Sequence, residues 1–289
     1  MPIWFMVINR RPVIPGVGDR EFHRAPAPCR SRSMPDPSEN PLSLLVDNLE
    51  LHSDLSPEDR QAVLDLPYRT RVFESSSYLV SEGERPVHCA VMVSGFSYRQ
   101  KQTSGGARQI VSIHIPGEAL DFQHLFLDVA DHSVQMLTRG EVALIPLRDL
   151  QQLVEERPGL NRAISRRILV EASIFREWVL NIGRRDARSR MAHLLCEFAI
   201  RMRVSGETGD HGFELPITQE QFADAVGLTT VHVNRTLRSL DADGFVKRDR
   251  RTIFIPSWRR LAEVADFNER YLHLKTEPLK RRPTERQGG

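Results

Sequence analysis

Apolar positions change their spacing several times along this chain, and each change marks a new kind of element. From Pro41 the spacing is helical, with Leu44, Leu45 and Leu49 on one face. A second short helix opens at Ser56, with Pro57 in its first turn, and carries Val63 and Leu64. Between Tyr68 and Pro146 the pattern becomes a series of short β-type runs: RVFE, SYLV, CAVMVSG, FSYRQK, RQIVSIHI and EVALIP. Gly83, Gly95, Gly105 and Gly117 punctuate them at intervals of 12, 10 and 12 residues. One strand and one turn fit each interval, as in an antiparallel roll or jelly-roll barrel, and Gly105–Gly106 predicts a hairpin. Helical spacing returns over Leu147–Glu156, stops at Pro158–Gly159 and resumes from Leu160 to Ile182, about 33 Å of helix.

That long helix carries two apolar stripes. Leu160, Ile164, Ile168, Phe175, Val179 and Ile182 form one, and Ala163, Val170, Ile174 and Trp178 the other. A helix with two such stripes packs on its own domain and on a partner at once, which predicts a homodimer with the first stripe as its interface. The alternative is a helix buried inside one monomer. A further helix begins between Arg184 and Arg190, with Met191, Leu194, Leu195 and Phe198 inward.

The stretch from Ile217 to Arg251 is the most informative. Thr218 and Gln221 stand at capping-box spacing, so a helix starts there, with Phe222, Ala223 and Val226 on its apolar face. Gly227 supplies a tight turn, and Thr229 caps a second helix that buries Val233, Leu237 and Leu240. The opposite face presents Thr230, Asn234, Arg235 and Arg238, side chains that hydrogen-bond base edges and phosphates. After Gly244 a β-type run with Lys247, Arg248, Arg250 and Arg251 forms a basic hairpin beside it. A solvated helical hairpin is the plain alternative, but caps, turn glycine, polar face and hairpin agree on a winged helix-turn-helix reading double-stranded DNA.

Composition sharpens this in one respect. The 289 residues are 40% hydrophobic and 27% charged, a globular balance with room for two domains. A net charge of +2 means that affinity for DNA must come from local clustering, and Ile217–Arg260 holds eight Lys/Arg against five Asp/Glu. Cys29, Cys89 and Cys196 are scattered and odd in number, which fits a reducing cytoplasm and offers no disulfide framework. No run has the apolar length of a membrane span. Arg10 to Pro41 is rich in Pro, Arg and Ser and reads as disordered, and Met34 just before the first helical pattern is expected to be the true translation start.

Roll, long helix and winged helix-turn-helix in that order resemble the Crp–Fnr superfamily of bacterial transcription regulators. The likeness runs from about residue 42 to 267 and is carried by PGEALDF, DHSVQMLTRGEVALIP, REWVLNIGRRDARSRMAHLLCEF and ITQEQFADAVGLTTVHVNRTLRSL. It is greatest to the α-proteobacterial group whose effectors are mostly unassigned. The resemblance implies an α+β fold: a cyclic-nucleotide-binding-like roll over 42–157, a dimerisation helix over 158–183 and a winged helix-turn-helix over 184–267, with an extension at 1–41 and a basic tail at 268–289. It also implies a homodimer on a near-palindromic site, working with RNA polymerase. Base contacts then fall to Thr230, Val231, Asn234 and Arg235, with Arg235 bidentate to a guanine. Phosphate contacts fall to Thr218, Thr229, His232, Arg238, Lys247, Arg248, Arg250 and Arg251. Members often have Glu where Val231 stands, so the family's usual half-site sequence does not carry over to this chain on the resemblance alone.

The roll departs further. Nucleotide-binding members use a Gly-Glu pair for the ribose and an Arg-Ser or Arg-Thr pair for the cyclic phosphate. Those positions align with Asp121–Phe122 and His132–Ser133, where only Ser133 is kept, so cyclic AMP is not the expected ligand. Asp121, Phe122, His132 and Ser133 remain the candidates for an effector pocket. Three scattered cysteines cannot hold a four-cysteine iron–sulfur cluster. His114, His124 and His132 are the roll histidines that a haem or metal would use, although hydrogen-bonded core histidines are the plainer reading, and no cofactor or metal is expected. A cupin-type metalloenzyme needs two histidines one residue apart and a following glutamate, which His114–Ile115–Pro116 does not supply. No nucleophile–base pair or phosphate loop appears, so the chain is expected not to be an enzyme.

Overall fold

The computed structural model describes residues 40–206, 212–249 and 251–275. The expected disorder before Pro41, the Met34 start, Cys29 and Arg250 lie outside the described residues, as does most of the expected basic tail.

Two short helices, α1 (Leu42–Glu50) and α2 (Pro57–Leu64), precede the roll. Ser56 caps α2, its side chain accepting from Asp59 N, with Pro57 in the first turn as its spacing predicts. The roll comprises β1 (Arg69–Phe73), β2 (Tyr78–Val80), β3 (His88–Met92), β4 (Ser97–Gln102), β5 (Arg108–His114), β6 (Ser133–Met136) and β7 (Gly140–Pro146). They form two antiparallel sheets, β1-β7-β3 and β2-β6-β4-β5. The run CAVMV shows why β3 has no polar face. Ala90 and Met92 point into the roll with Val134, Met136 and Val142, whereas Cys89, Val91 and Val93 face the helices with Ala143 and Ile145. A sheet covered on both sides needs apolar residues at every position. Strand β6 carries no strong β-type run of its own and was not among the expected strands. The β4–β5 hairpin turns through Ser104 and Gly105, closed by Gly106 N donating to the Thr103 carbonyl (2.9 Å), and Gly106 takes the positive φ of +84°.

Helix α3 (Leu147–Glu156) leads into α4 (Pro158–Arg184), 27 residues long and so about 40 Å. Arg185 is extended, and Asp186 caps α5 (Ala187–Val204) by accepting from Ser189 N. The C-terminal module follows as β8 (Phe213–Glu214), α6 (Gln219–Val226), α7 (Thr230–Ala242), β9 (Lys247–Asp249), β10 (Thr252–Phe254) and α8 (Trp258–Ala265), ending in a 3₁₀ turn at Glu269–Leu272. Tyr271 and Leu272 are buried, so the start of the expected tail is part of the core. One apolar cluster joins this module to the roll: Phe96, Tyr98, Ile110 and Ile113 pack with Trp178, Leu195, Phe198 and Phe222. The fold is thus the expected α+β arrangement of antiparallel roll, long helix and winged helix-turn-helix. Among the described residues, no helix is long and apolar enough to cross a membrane.

Candidate nucleic-acid interface

Local hydrogen bonds fix the two helices of the C-terminal module. Thr218 N donates to Gln221 Oε1 (2.9 Å) while Gln221 N donates to Thr218 Oγ1 (3.1 Å), a complete capping box at the start of α6. Gly227 ends the helix in the left-handed region at φ +64°, and a Cβ there would lie 3.3 Å from Ile182 Cγ2. Thr229 Oγ1 then accepts from His232 N (3.3 Å), capping α7. Val233, Leu237 and Leu240 anchor α7 in the core at 0%, 4% and 0% exposure.

What α7 leaves outside is a polar face. Thr230, Val231, Arg235 and Arg238 are exposed, Val231 to 77%, and His232 and Asn234 are half-buried. Asn234 Nδ2 donates to Gln219 Oε1 on α6 (3.1 Å), so its amide is held by the neighbouring helix. The hairpin β9–β10 stands alongside, with Thr252 opposite Asp249 and Phe254 opposite Lys247. Buried Ile253 fixes this wing, while Lys247, Arg248 and Arg251 are exposed. Thr218 and Thr229 sit exposed at the helix N-termini, where free amides and the helix dipole favour anions. One residue escaped the sequence reading. Arg188, in the first turn of α5, lines an open groove with His232, Arg235 and Ser239. It pairs with Asp243 (2.6 Å) and lies over the Phe245 ring at 4.8 Å.

The expected dimer stripe divides. Leu160 and Ile164 are buried at 0% and 1% in the core under the roll, so they are not available to a partner. From Ile168 onward the stripe is less covered: Ile168, Phe175, Val179 and Ile182, with Ala172 between, recur at alternating four- and three-residue steps, half-buried or exposed, with Leu169 (67%) and Leu180 (45%) beside them, although Ile168 packs against the same core and Phe175 lies under Arg99. Helical spacing alone does not tell which part of a long stripe meets its own roll.

The roll candidates do not face an open pocket. Asp121, Phe122 and His132 are buried at 3–4%, Phe122 packs among apolar side chains, and half-buried Ser133 accepts from Glu82 N (3.0 Å). A guanidinium is present after all, from β4: Arg99, 2% exposed, donates to Asp121 (3.0 Å), Glu171 and the Leu120 carbonyl. It is already neutralised. Burial opposes the charge on Asp121, but the hydrogen bond from His132 and the Arg99 charge outweigh it and hold the carboxyl below its ordinary range. Nearby, Glu118 bridges roll and helices. Arg201 Nη2 lies 2.9 Å and Arg167 Nη2 3.2 Å from its carboxylate, and Arg201, then His114 and Arg167, overcome burial to hold it below the usual carboxylate range. Cys89 and Cys196 are free and buried, and burial pushes the first thiol up to about 12, so it stays protonated and unreactive.

Two family models match: a cyclic nucleotide-binding domain over residues 70–157 and a Crp-like helix-turn-helix domain over 189–264. The chain is 25% identical over 199 residues to the transcriptional activator protein FnrL of Cereibacter sphaeroides, covering 68% of this chain and 79% of that one. To the nitrogen fixation regulation protein FixK of Azorhizobium caulinodans it is 26% identical over 239 residues, covering 83% and 91%. Among solved structures, FixK2 from Bradyrhizobium japonicum shares the fold with a TM-score of 0.64 at 22% identity, over 69% of this chain and 98% of that one.

Proposed function

This chain belongs to the Crp–Fnr superfamily of DNA-binding transcription regulators, and we propose that it binds a near-palindromic promoter site as a homodimer, with its roll responding to a signal other than cyclic AMP. The observation that carries the reading is the exposed face of α7, with Thr230, Val231, Arg235 and Arg238 outward above a fully buried anchor and beside a basic wing. In a dimer, two such helices enter successive major grooves one helical turn apart. Arg235 reads guanine through O6 and N7, Asn234 a neighbouring base once Gln219 releases it, and Val231 a thymine methyl. Thr218, Thr229, His232, Arg238, Lys247, Arg248 and Arg251, joined by Arg188, hold phosphates.

The dimer forms along Ile168, Phe175, Val179 and Ile182. Members of this superfamily are regulators and not enzymes, and this chain acts by binding alone, with RNA polymerase as its further partner. Cyclic AMP does not occupy the roll, because Arg99 is held by two carboxylates and Asp121 would face the phosphate; calorimetry is expected to register no micromolar binding.

Sedimentation and footprinting together test the reading. The expected result is a dimer protecting two half-sites one turn apart, and a Phe175→Glu variant that sediments as a monomer and loses the footprint, since an unpaired charge in an apolar seam costs several kcal/mol. A parent chain that is monomeric and protects a single half-site would overturn it.

A further inference from the structure

Asp121, His124 and His132 converge inside the roll: all three are buried, and one potential ligand atom from each lies within 4.8 Å of the others. The two imidazoles stack with ring centroids 6.1 Å apart. Each ring is held from behind. His124 Nδ1 lies 3.1 Å from the Leu127 carbonyl, a group that only accepts, so Nδ1 carries the hydrogen and Nε2 presents a lone pair. That Nε2 is buried with no hydrogen-bond partner, and so is Asp121 Oδ2. His132 Nδ1 lies 2.7 Å from the Asp131 carboxylate, while its Nε2 faces Asp121 Oδ1 at 2.8 Å.

We propose that Asp121, His124 and His132 form a binding site for a single divalent transition-metal ion of the zinc type. Two buried acceptor atoms without donors are costly unless something satisfies them. A cation satisfies both, and it takes the place of the proton between His132 and Asp121, since metal binding releases protons. Two imidazoles and one carboxylate are a donor set that suits zinc or ferrous iron, with further positions open to water. The outer contacts match too. A metal-bound imidazole normally donates its other N–H to a carboxylate or a backbone carbonyl, and here Asp131 and Leu127 stand in those two places.

Arg99 is the opposing charge, 3.0 Å from Asp121 Oδ1, but Glu171 pairs with it from α4. Lys101 reaches the Asp131 carbonyl but pairs with Glu82 (2.6 Å), so Asp121, Asp131, Glu171 and Glu82 against two cations leave a negative site, which a dication neutralises. His124, in the 3₁₀ turn Phe122–Leu125, and His132, just before β6, stand at a spacing that matches no metal motif, so the sequence offers them only as candidate ligands.

The test uses the full chain without a polyhistidine tag, stripped by chelator. Zinc chloride is titrated by calorimetry and cobalt(II) by visible absorption. One ion per chain is expected, with cobalt giving the d–d bands of a low-symmetry four- or five-coordinate site. His124→Ala and His132→Ala should lose the binding. Asp131→Asn, at a side chain 80% exposed and so safe for the fold, should weaken it by about 10–100-fold with an unchanged circular dichroism spectrum. If His124→Ala fails to fold, Asp131→Asn decides the matter. No saturable zinc binding, or stoichiometric binding undiminished by Asp131→Asn, would overturn the assignment.

Discussion

The reading head and the junction between roll and helices are both built from polar side chains, yet they are made in opposite ways. In the reading head, hydrogen bonds that shape the helices join residues three apart, Thr218 with Gln221 and Thr229 with His232. Its functional side chains point to solvent. At the junction, Glu118 meets Arg167 across 49 residues and Arg201 across 83, and Glu197 accepts from Trp178 across 19 and from Tyr271 across 74. All of these groups are buried. Local polar contacts at the surface free side chains for a ligand. Distant polar contacts in the interior commit them to the fold, and here they tie the roll to α4, α5 and the 3₁₀ turn at Glu269–Leu272.

Removing one member of the junction should therefore produce the largest effect. Glu118→Ala leaves Arg167 and Arg201 buried without their shared counter-ion, and breaking such a pair from one side costs roughly 3–5 kcal/mol. Chemical denaturation should show that loss, while Arg235→Ala changes stability by less than about 0.5 kcal/mol. A Glu118→Ala chain as stable as the parent would mean that water already solvates the network, and the contrast with the reading head would disappear.

The next largest effect is on pH dependence, and it too belongs to the buried side. Burial, aided by Arg167, lowers His52 to about 4, and burial, aided by Arg185, lowers His193 to about 3, both from 6.5. The unfolded imidazoles take up protons near 6.5 and the folded ones do not. Between those values the unfolded state binds more protons, so stability is complete above about 6.5 and falls as the pH drops toward 4. Each histidine contributes about 1.4 kcal/mol per pH unit in that window. Denaturant midpoints at pH 7.5, 6 and 5 should follow this slope, and His52→Gln should reduce it. A flat profile would show that the interior admits water on acidification.

The same contrast decides what the sequence could tell. The capping box of α6, the Thr229 cap, Gly227, the buried positions of α7 and the wing were legible because each depends on residues a turn or two away. Strand β6 was not, since Ser133–Met136 becomes a strand only by pairing with β2 and β4. Nor was the split of the α4 stripe, where Leu160 and Ile164 belong to the roll because α1 and α3 cover them, a fact of tertiary packing that helical spacing does not contain. Arg99 sits in a run whose β pattern was read correctly, but nothing in FSYRQK announces that its guanidinium meets Asp121 and Glu171. Asp121 and His132 were singled out by their place in the family pattern; their mutual hydrogen bond had no local signal.

The smallest effects separate roles within the reading head itself. If Arg235 reads guanine as proposed, Arg235→Ala should cost roughly 1–3 kcal/mol and relax the preference at one base pair in each half-site. Lys247→Ala removes an exposed wing charge. It should weaken binding to every sequence alike and reduce the slope of log affinity against log salt by about one unit, because a phosphate contact carries no base information. Both side chains are exposed and neither supports the core, so both variants should unfold at the parent's denaturant concentration, unlike Glu118→Ala. Binding-site selection with each variant at fixed salt distinguishes them. If Arg235→Ala keeps full selectivity while Lys247→Ala alters it, then α7 does not read the bases, and the exposed polar face that carries the proposed function is only a solvated surface.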